Sequence, residues 1–324
     1  MELNLKAAFF WPTNSTIVRS LKFSTKVYLQ RAVFRVLWQA SPHRAIERAM
    51  RLMLTPPRHA FSDAELLTLE EASLLPIPLI SGRLIAWRWG SAADPAVVLV
   101  HGWGGRGTQL RGFIAPLLAQ GFSVVAFDAP GHGMTGGRES SLPHIQQALD
   151  AVLDHLGSVH AIVGHSVGGA VAAGALARRS VIGCAVLIAP PASLAASSRR
   201  IAEKLAWPEP LRAAMQRRIE YRFGVNWSEF EAERVSGEQP LLVIHDREDR
   251  EVPLSEGRRH VINWPRARLL ATRGLGHHRL LEDPAVIEAA AEFIVGARPI
   301  HEAAQRRTVV TPSLGEGAGG RVVP

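Results

Sequence analysis

Cysteine is almost missing from this chain: its 324 residues contain one, Cys184. A single cysteine excludes an intramolecular disulfide and a cysteine-based zinc site, and it fits a reducing compartment. Cys184 lies in the apolar run Cys184-Ala185-Val186-Leu187-Ile188, so it is expected to be a small buried side chain. Long hydrophobic runs are missing as well. No uninterrupted apolar stretch reaches the length of a membrane-spanning helix. The N-terminus does not read as a secretory signal. Its apolar stretch, Ala7 to Trp11, is short, is stopped by Pro12 and has no small-residue cleavage site within range. A cytoplasmic protein is the expectation. Internal repeats are absent too.

Excess positive charge is missing beyond residue 60. The formal charge is +8. Residues 1–60 hold ten Lys/Arg (Lys6, Arg19, Lys22, Lys26, Arg31, Arg35, Arg44, Arg48, Arg51, Arg58) against two acids (Glu2, Glu47), a balance of +8 that accounts for the whole excess. The neutral remainder argues against a nucleic-acid-coating surface, and no nucleic-acid partner is expected.

What is present divides into an arm, a body and a tail. Residues 1–72 read as a basic helical arm. Leu29, Ala32, Val33, Val36, Leu37 and Ala40 fall at helical spacing, with Arg31 and Arg35 on another face. Such a helix packs its stripe on the main domain, or lies on an anionic membrane surface with Tyr28, Phe34 and Trp38. The second reading makes residues 28–60 a peripheral contact with the inner membrane face. Pro56-Pro57 and the acidic stretch Asp63 to Glu71 mark the approach to the body. Residues 298–324 are polar, rich in Gly and Pro, and without periodicity, and read as a disordered tail.

The body, 73–297, alternates short apolar strands with helical segments. Strands are expected at 76–81, 83–89, 96–100, 123–127, 159–163, 184–189, 240–245 and 268–272. Helices are expected at 108–120, 142–156, 167–179, 254–262 and 284–296. This alternation implies a mostly parallel sheet covered by helices, with its site at the carboxyl ends of the strands. The residues that follow the strands are therefore the ones to read. After 96–100 comes His101-Gly102-Trp103-Gly104-Gly105-Arg106-Gly107, a turn whose amides can approach a ligand. It is not a dinucleotide fingerprint: the G-x-G-x-x-G spacing fits only if Gly105 is ignored, and no acid ends the next strand in the ribose-binding role. After 123–127 comes Asp128-Ala129-Pro130-Gly131-His132-Gly133. After 159–163 comes Gly164-His165-Ser166-Val167-Gly168, which reads G-x-S-x-G. After 240–245 come Asp246, Glu248 and Asp249, and after 268–272 come His277 and His278.

The serine motif carries a physical requirement. A hydroxyl is a useful nucleophile only when held out from the backbone beside a base, and a sharp strand-to-helix turn does this. Side chains at the flanking glycines would clash at that close approach. The Val167 amide, at the start of the following helix, would face the oxyanion formed when Ser166 attacks a carbonyl. Taken alone, the pentapeptide also fits a Gly-rich turn with a capping serine. The order serine, acid, histidine, each past a strand end, is what proton transfer to a histidine oriented by an acid needs.

Over residues 75–297 the chain resembles the α/β-hydrolase superfamily. The matching motifs are His101-Gly102-Trp103-Gly104-Gly105, Asp128 to Gly133, Gly164 to Gly169, Asp249-Arg250-Glu251-Val252-Pro253 and Gly276-His277. The resemblance implies an α/β-hydrolase fold: a mostly parallel eight-stranded sheet flanked by helices, with a helical cap insertion at about 192–236. It implies Ser166 as nucleophile, Asp249 as acid and His277 as base, with the amides of Trp103 and Val167 as the oxyanion hole. Asp246, Glu248 and Asp128 compete for the acid. The family pattern selects the aspartate four residues before the proline of a D-x-x-V-P run, and no acid follows the sixth strand at Ile188-Ala189-Pro190-Pro191. His278 competes with His277, which directly follows the glycine. His101 and His165 read as orienting residues, and Asp128 as the brace of its own turn.

The insertion carries Leu211, Met215 and Ile219 at i, i+4, i+8, so a helix with an apolar face is expected. That face would pack on the sheet or line an acyl pocket. Its eight basic residues stand against six glutamates, so no strongly anionic substrate is demanded. The expected activity is cleavage of a small carboxylic ester, with an apolar acyl group, through an acyl-enzyme. No cofactor or metal is implied. A thioesterase or acyltransferase would use the same residues, and a non-catalytic binding protein on the same fold is the reading from another class.

Overall fold

The apolar runs assemble into one sheet of eight strands. A computed structural model describes residues 14–79 and 82–297. The expected tail, 298–324, and the apolar stretch Ala7 to Trp11 lie outside the described residues. The strands are β1 (Ser73–Leu79), β2 (Gly82–Trp89), β3 (Ala96–Val100), β4 (Ser123–Asp128), β5 (Val159–His165), β6 (Ile182–Ile188), β7 (Leu241–Asp246) and β8 (Ala267–Thr272). Their order in the sheet is β1-β2-β4-β3-β5-β6-β7-β8. The pairs β1–β2 and β2–β4 are antiparallel, and all other neighbours are parallel. This is the mostly parallel α/β sheet that the alternation implied.

Burial explains why the central strands lack an apolar–polar alternation. Every residue of β3, β4 and β7 is buried, as strands covered on both faces must be. Their side chains form a core with Trp87, Trp89, Leu110, Phe113, Leu117, Leu281 and Ile294. Cys184 is part of it at 0% exposure, and burial pushes its thiol up to about 12. Local chemistry sets the helix ends. Helix α5 (Leu142–Leu156) begins where Ser141 accepts the His144 amide, with Pro143 in the first turn. Helix α10 (Pro284–Gly296) begins in the same way at Asp283, which accepts the Val286 amide. Between them lie α6 (Val167–Arg178) and α9 (Leu254–Ile262), and before them the short α4 (Ile114–Ala119).

The chain divides into two compact units. Among the described residues, one comprises Pro57–Ala192 and 232–297, and holds the whole sheet. It also holds α3 (Asp63–Glu70), whose Thr68 carbonyl accepts the Trp89 indole N–H at 2.8 Å. The boundary expected at residue 72 therefore falls at Pro56, because residues 57–72 are bonded into the sheet-bearing unit.

The other unit joins residues 14–56 with Ser193–Glu231. Its helices are α1 (Asn14–Ala40), α2 (Pro42–Leu54), α7 (Leu194–Leu205) and α8 (Glu209–Phe223). The arm and the insertion share one core: Phe34, Ala45, Ala49, Met50 and Leu54 pack with Leu205, Trp207, Leu211, Met215, Ile219 and Trp227. The Phe34 and Trp207 ring centroids are 4.8 Å apart. The apolar stripe expected to be the packed face of α1 is not its buried face. Leu29 and Val36 are each 63% exposed, and Ala32 and Ala40 are exposed too, whereas Phe34 is fully buried and Val33 and Leu37 half-buried. The large ring of Phe34 against Trp207 outweighs several small side chains in choosing the buried face. Leu211, Met215 and Ile219 are buried inside this unit's own core. Among the described residues no helix is long and apolar enough to cross a membrane.

Candidate active site

Each sequence-selected residue stands at the carboxyl end of a strand of the sheet-bearing unit. Ser166 follows β5 directly. Its backbone is at φ 53, ψ −125, a conformation that costs a non-glycine residue about 1–3 kcal/mol. Three hydrogen bonds hold it there: its amide donates to Ile188 O at 2.8 Å, and its carbonyl accepts from Gly169 at 2.8 Å and Ala170 at 3.2 Å. The flanking glycines are required by contact. A Cβ on Gly164 would come 2.5 Å from Gly168 O, and one on Gly168 would overlap the carbonyl oxygens of Val100 and His101. Ser166 is half-buried, and Val167 opens α6.

The turn after β3 packs against the serine. A Cβ on Gly102 would stand 3.1 Å from Ser166 Cβ and 3.0 Å from His165 Nδ1, so a side chain there would push on both by a few tenths of an ångström. Trp103 comes next, its side chain partly exposed and edge-on to His132 at 5.4 Å. His101 joins this turn to the one after β4. It accepts the Ala129 amide at Nε2 (3.0 Å) and donates from Nδ1 to Gly102 O (2.7 Å). Complete burial lowers its pKa to about 4, so it stays neutral.

Asp249 and His277 are brought together. His277 Nδ1 lies 2.7 Å from Asp249 Oδ2, and both side chains are almost fully buried. The other carboxylate oxygen accepts the amides of Glu251 (2.8 Å) and Val252 (2.9 Å). Burial raises the Asp249 pKa, but the His277 hydrogen bond and the two amides more than offset it and hold it below its ordinary value. The carboxylate is thus ionised, and Nδ1 of His277 is the donor.

The competing acids are occupied elsewhere. Asp246 accepts the amides of Glu248 (2.9 Å) and Leu275 (3.0 Å) and the Thr272 hydroxyl (2.7 Å), bracing the turn that leads to His277. Asp128 accepts the amides of Gly107 (2.7 Å) and Met134 (2.6 Å), across its own turn and the preceding one. Glu248 is exposed. His278 pairs with Glu251 at 3.0 Å instead, which raises its pKa.

Two histidines support this arrangement. His165 Nε2 donates to His277 O at 3.0 Å, while its buried Nδ1 has no partner. His245, fully buried at the end of β7, donates from Nε2 to Val252 O at 2.8 Å and so steadies the amide that serves Asp249. The sequence signal for His165 was its place inside the serine motif; for His245 it was only the strand end. A cavity of about 300 Å3 opens beside His277, lined by Glu248, Arg250, Glu251, Gly274, Gly276 and Arg279. Among the described residues no group of three or more His, Cys, Asp or Glu is placed to hold a metal.

Comparison with known proteins agrees with this fold. A family model described as "Alpha/beta hydrolase family" matches residues 97–236. An esterase of Pyrococcus furiosus has a similar structure, with a TM-score of 0.59 and 24% identity over 75% of this chain and 97% of that one. In sequence, the chain is 38% identical over 96 residues to the dihydrolipoyllysine-residue acetyltransferase component of the acetoin cleaving system of Pseudomonas putida, covering 28% of this chain and 26% of that protein. It is 33% identical over 95 residues to a human serine hydrolase-like protein, covering 28% of this chain and 46% of that protein. The matches thus span about a quarter to about a half of these relatives. The chain thus has the α/β-hydrolase fold, and residues 97–236 match the model of that family.

Proposed function

We propose that this hydrolase cleaves a carboxylic ester through an acyl-enzyme formed on Ser166. The observation that carries the reading is the 2.7 Å hydrogen bond between His277 and an ionised Asp249, in the same unit as the strained Ser166. With Nδ1–H engaged by Asp249, Nε2 of His277 is the free base. It takes the Ser166 proton as Oγ adds to the acyl carbon. The amides of Trp103 and Val167 receive the oxyanion, at about 3–4 kcal/mol per donor for such groups. His277 then gives the proton to the leaving alcohol. Water, deprotonated by the same nitrogen, adds to the acyl carbon, and Ser166 leaves with the proton. The substrate is a small ester or acyl compound with an apolar acyl group. Similarity to an acyltransferase component keeps acyl transfer as the alternative, since only the acceptor differs, and a thioester would be opened by the same residues.

Hydrolysis of a chain-length series of p-nitrophenyl esters by the parent chain and by Ser166→Ala tests this. Turnover lost in the variant supports the nucleophile, and the preferred length sizes the acyl pocket. No turnover of any ester, with no fluorophosphonate labelling of Ser166, would favour a binding protein on the same fold.

A second reading concerns the arm. Tyr28, Leu29, Ala32 and Val36 form an exposed apolar stripe on α1, with Arg35 at its edge and exposed Arg44 and Arg51 on α2. With all the net charge of the chain in residues 1–60, this surface suits an anionic lipid face. Co-sedimentation with phosphatidylglycerol vesicles, lost in high salt and in Leu29→Glu/Val36→Glu, is the expected result. Equal sedimentation of the double variant would discard this reading.

A further inference from the structure

The turn that carries Trp103 is poorly suited to hold an oxyanion donor by itself. Four of the seven residues 101–107 are glycine, and glycine gives the backbone little stiffness. An amide stabilises a transition state only if it is already aimed when charge develops. Something outside the turn has to hold it.

That support comes from residues 57–65, which precede the sheet. Arg106, within the glycine turn, meets Glu65 with both ends of its fork: Nε to Oε1 and Nη2 to Oε2, each at 2.6 Å. The same guanidinium donates to His59 O (2.6 Å) and Ala60 O (3.0 Å), and its Cζ lies 4.3 Å from the Phe61 ring centroid. Glu65 also accepts the Thr108 hydroxyl at 2.9 Å and closes a capping box with Ser62. Side-chain exposure is 15% for Arg106 and 8% for Glu65, so the pair is screened little. Burial raises the Glu65 pKa, but the hydrogen bonds from Arg106, Ser62 and Thr108 outweigh it and bring the value down to about 2.

Two further contacts extend the hold. Pro57 lies against Gly104, where a Cβ would come 2.8 Å from Pro57 Cγ. Arg58 donates to three carbonyls of the turn after β4: Gly131 (3.1 Å), Thr135 (3.0 Å) and Gly137 (2.8 Å). One short segment thus fastens the turn after β3, which packs against Ser166, and the turn after β4.

Building on the serine-hydrolase reading, we propose that residues 57–65 are a strap that sets the Trp103 amide, with Glu65 and Arg106 as its positioning residues. A lysine at 106 could not reproduce the bidentate fork, and a glutamine at 65 keeps the shape but removes the charge. Both side chains are engaged by protein groups, so their loss is expected to act on the transition state and not on ground-state binding.

The test compares the parent chain, Glu65→Gln and Arg106→Lys at a temperature where circular dichroism shows all three folded. Steady-state hydrolysis of a p-nitrophenyl ester, inhibition by a trifluoromethyl ketone and amide hydrogen exchange at 102–108 are measured on each. The ketone adds to the serine and places an oxyanion in the hole. The expected result is a fall in kcat of about 10- to 100-fold, KM within about twofold, and ketone affinity lost in parallel. Exchange quickens at 102–108 but not in β5 or α6. Variants with kcat and ketone affinity within about twofold of the parent, or a change confined to KM, would overturn the proposal. A parent chain without turnover would overturn the esterase reading alone, and exchange then decides the strap. Unchanged exchange at 102–108 in Glu65→Gln rejects it, and faster exchange confined there upholds it.

Discussion

The residue before the serine is tied to the expected base: His165 donates from Nε2 to the main-chain oxygen of His277 at 3.0 Å. Burial lowers the His165 pKa to about 3, so it is a neutral donor across the working range. His165→Phe keeps a ring and removes the donor. A misplacement of the base by even 1 Å can cost about a hundredfold in rate. We expect kcat on an ester to fall at least about tenfold, with KM little changed. Kinetics equal to the parent would mean that packing alone places the His277 turn.

Asp249 and Asp246 differ in what they serve, and their asparagine variants should differ in kind. Asp249→Asn presents an amide to His277 Nδ1 and favours the wrong tautomer, for a loss in kcat of about 10³–10⁴ with the fold intact. Asp246→Asn weakens three acceptor contacts, to Glu248 in the turn after β7, to Thr272 at the end of β8 and to Leu275 just beyond it, and should show mainly in thermal stability. Paired kinetics and melting curves separate the two. Equal kinetic losses would refute the assignment.

Acid stability should carry the mark of Glu65. Its folded pKa is about 2 against an ordinary 4.5, so the folded state holds this carboxylate deprotonated more strongly than the unfolded chain does. The resulting stability is complete above about pH 4.5 and is lost as the pH falls toward 2. In Glu65→Gln this loss should be absent. The urea midpoints of parent and variant should therefore converge as the pH falls through that window. Parallel curves down to pH 2 would count against the ion pair.

Glycine substitutions should separate required from incidental positions. Gly168→Ala would drive a Cβ into two backbone carbonyls that cannot yield, and should prevent soluble folding or lower the melting temperature sharply. Gly296→Ala, in open space at the end of α10, should be neutral or stabilising by up to about 1 kcal/mol. The two melting temperatures are the readout.

The orientation of α1 is tested by truncating each face. Phe34→Ala removes a fully buried ring packed on Trp207 and should cost about 3–5 kcal/mol of the unit that contains it. Val36→Ala, on the exposed face, should stay within about 0.5 kcal/mol. Denaturant titration of both variants gives the answer, and reversed magnitudes would reverse the helix.

The sequence by itself determined the sheet. Short β-branched runs such as Val97 to Val100 and Ile182 to Ile188 can be buried on both faces only in a mostly parallel sheet, and the helical segments between them supply the crossovers. The backbone need for glycine at 164 was equally local, because the clash arises within one strand-to-helix turn, whereas Gly168 meets the carbonyls of Val100 and His101 at the end of the neighbouring strand. Tertiary structure alone decided three other matters. Periodicity marked one apolar stripe on the first long helix, but Trp207, far along the chain, selected the face bearing Phe34. Asp246 and Asp249 stand three residues apart; the family motif points to Asp249, but only the path of the turn after β8 brings His277 within hydrogen-bond reach of it. The Glu65–Arg106 pair spans 41 residues, and nothing in local spacing ranks one glutamate above another for such a partner. Local geometry is written in short-range pattern, whereas partners are chosen by the packing of distant segments, which a linear pattern does not contain.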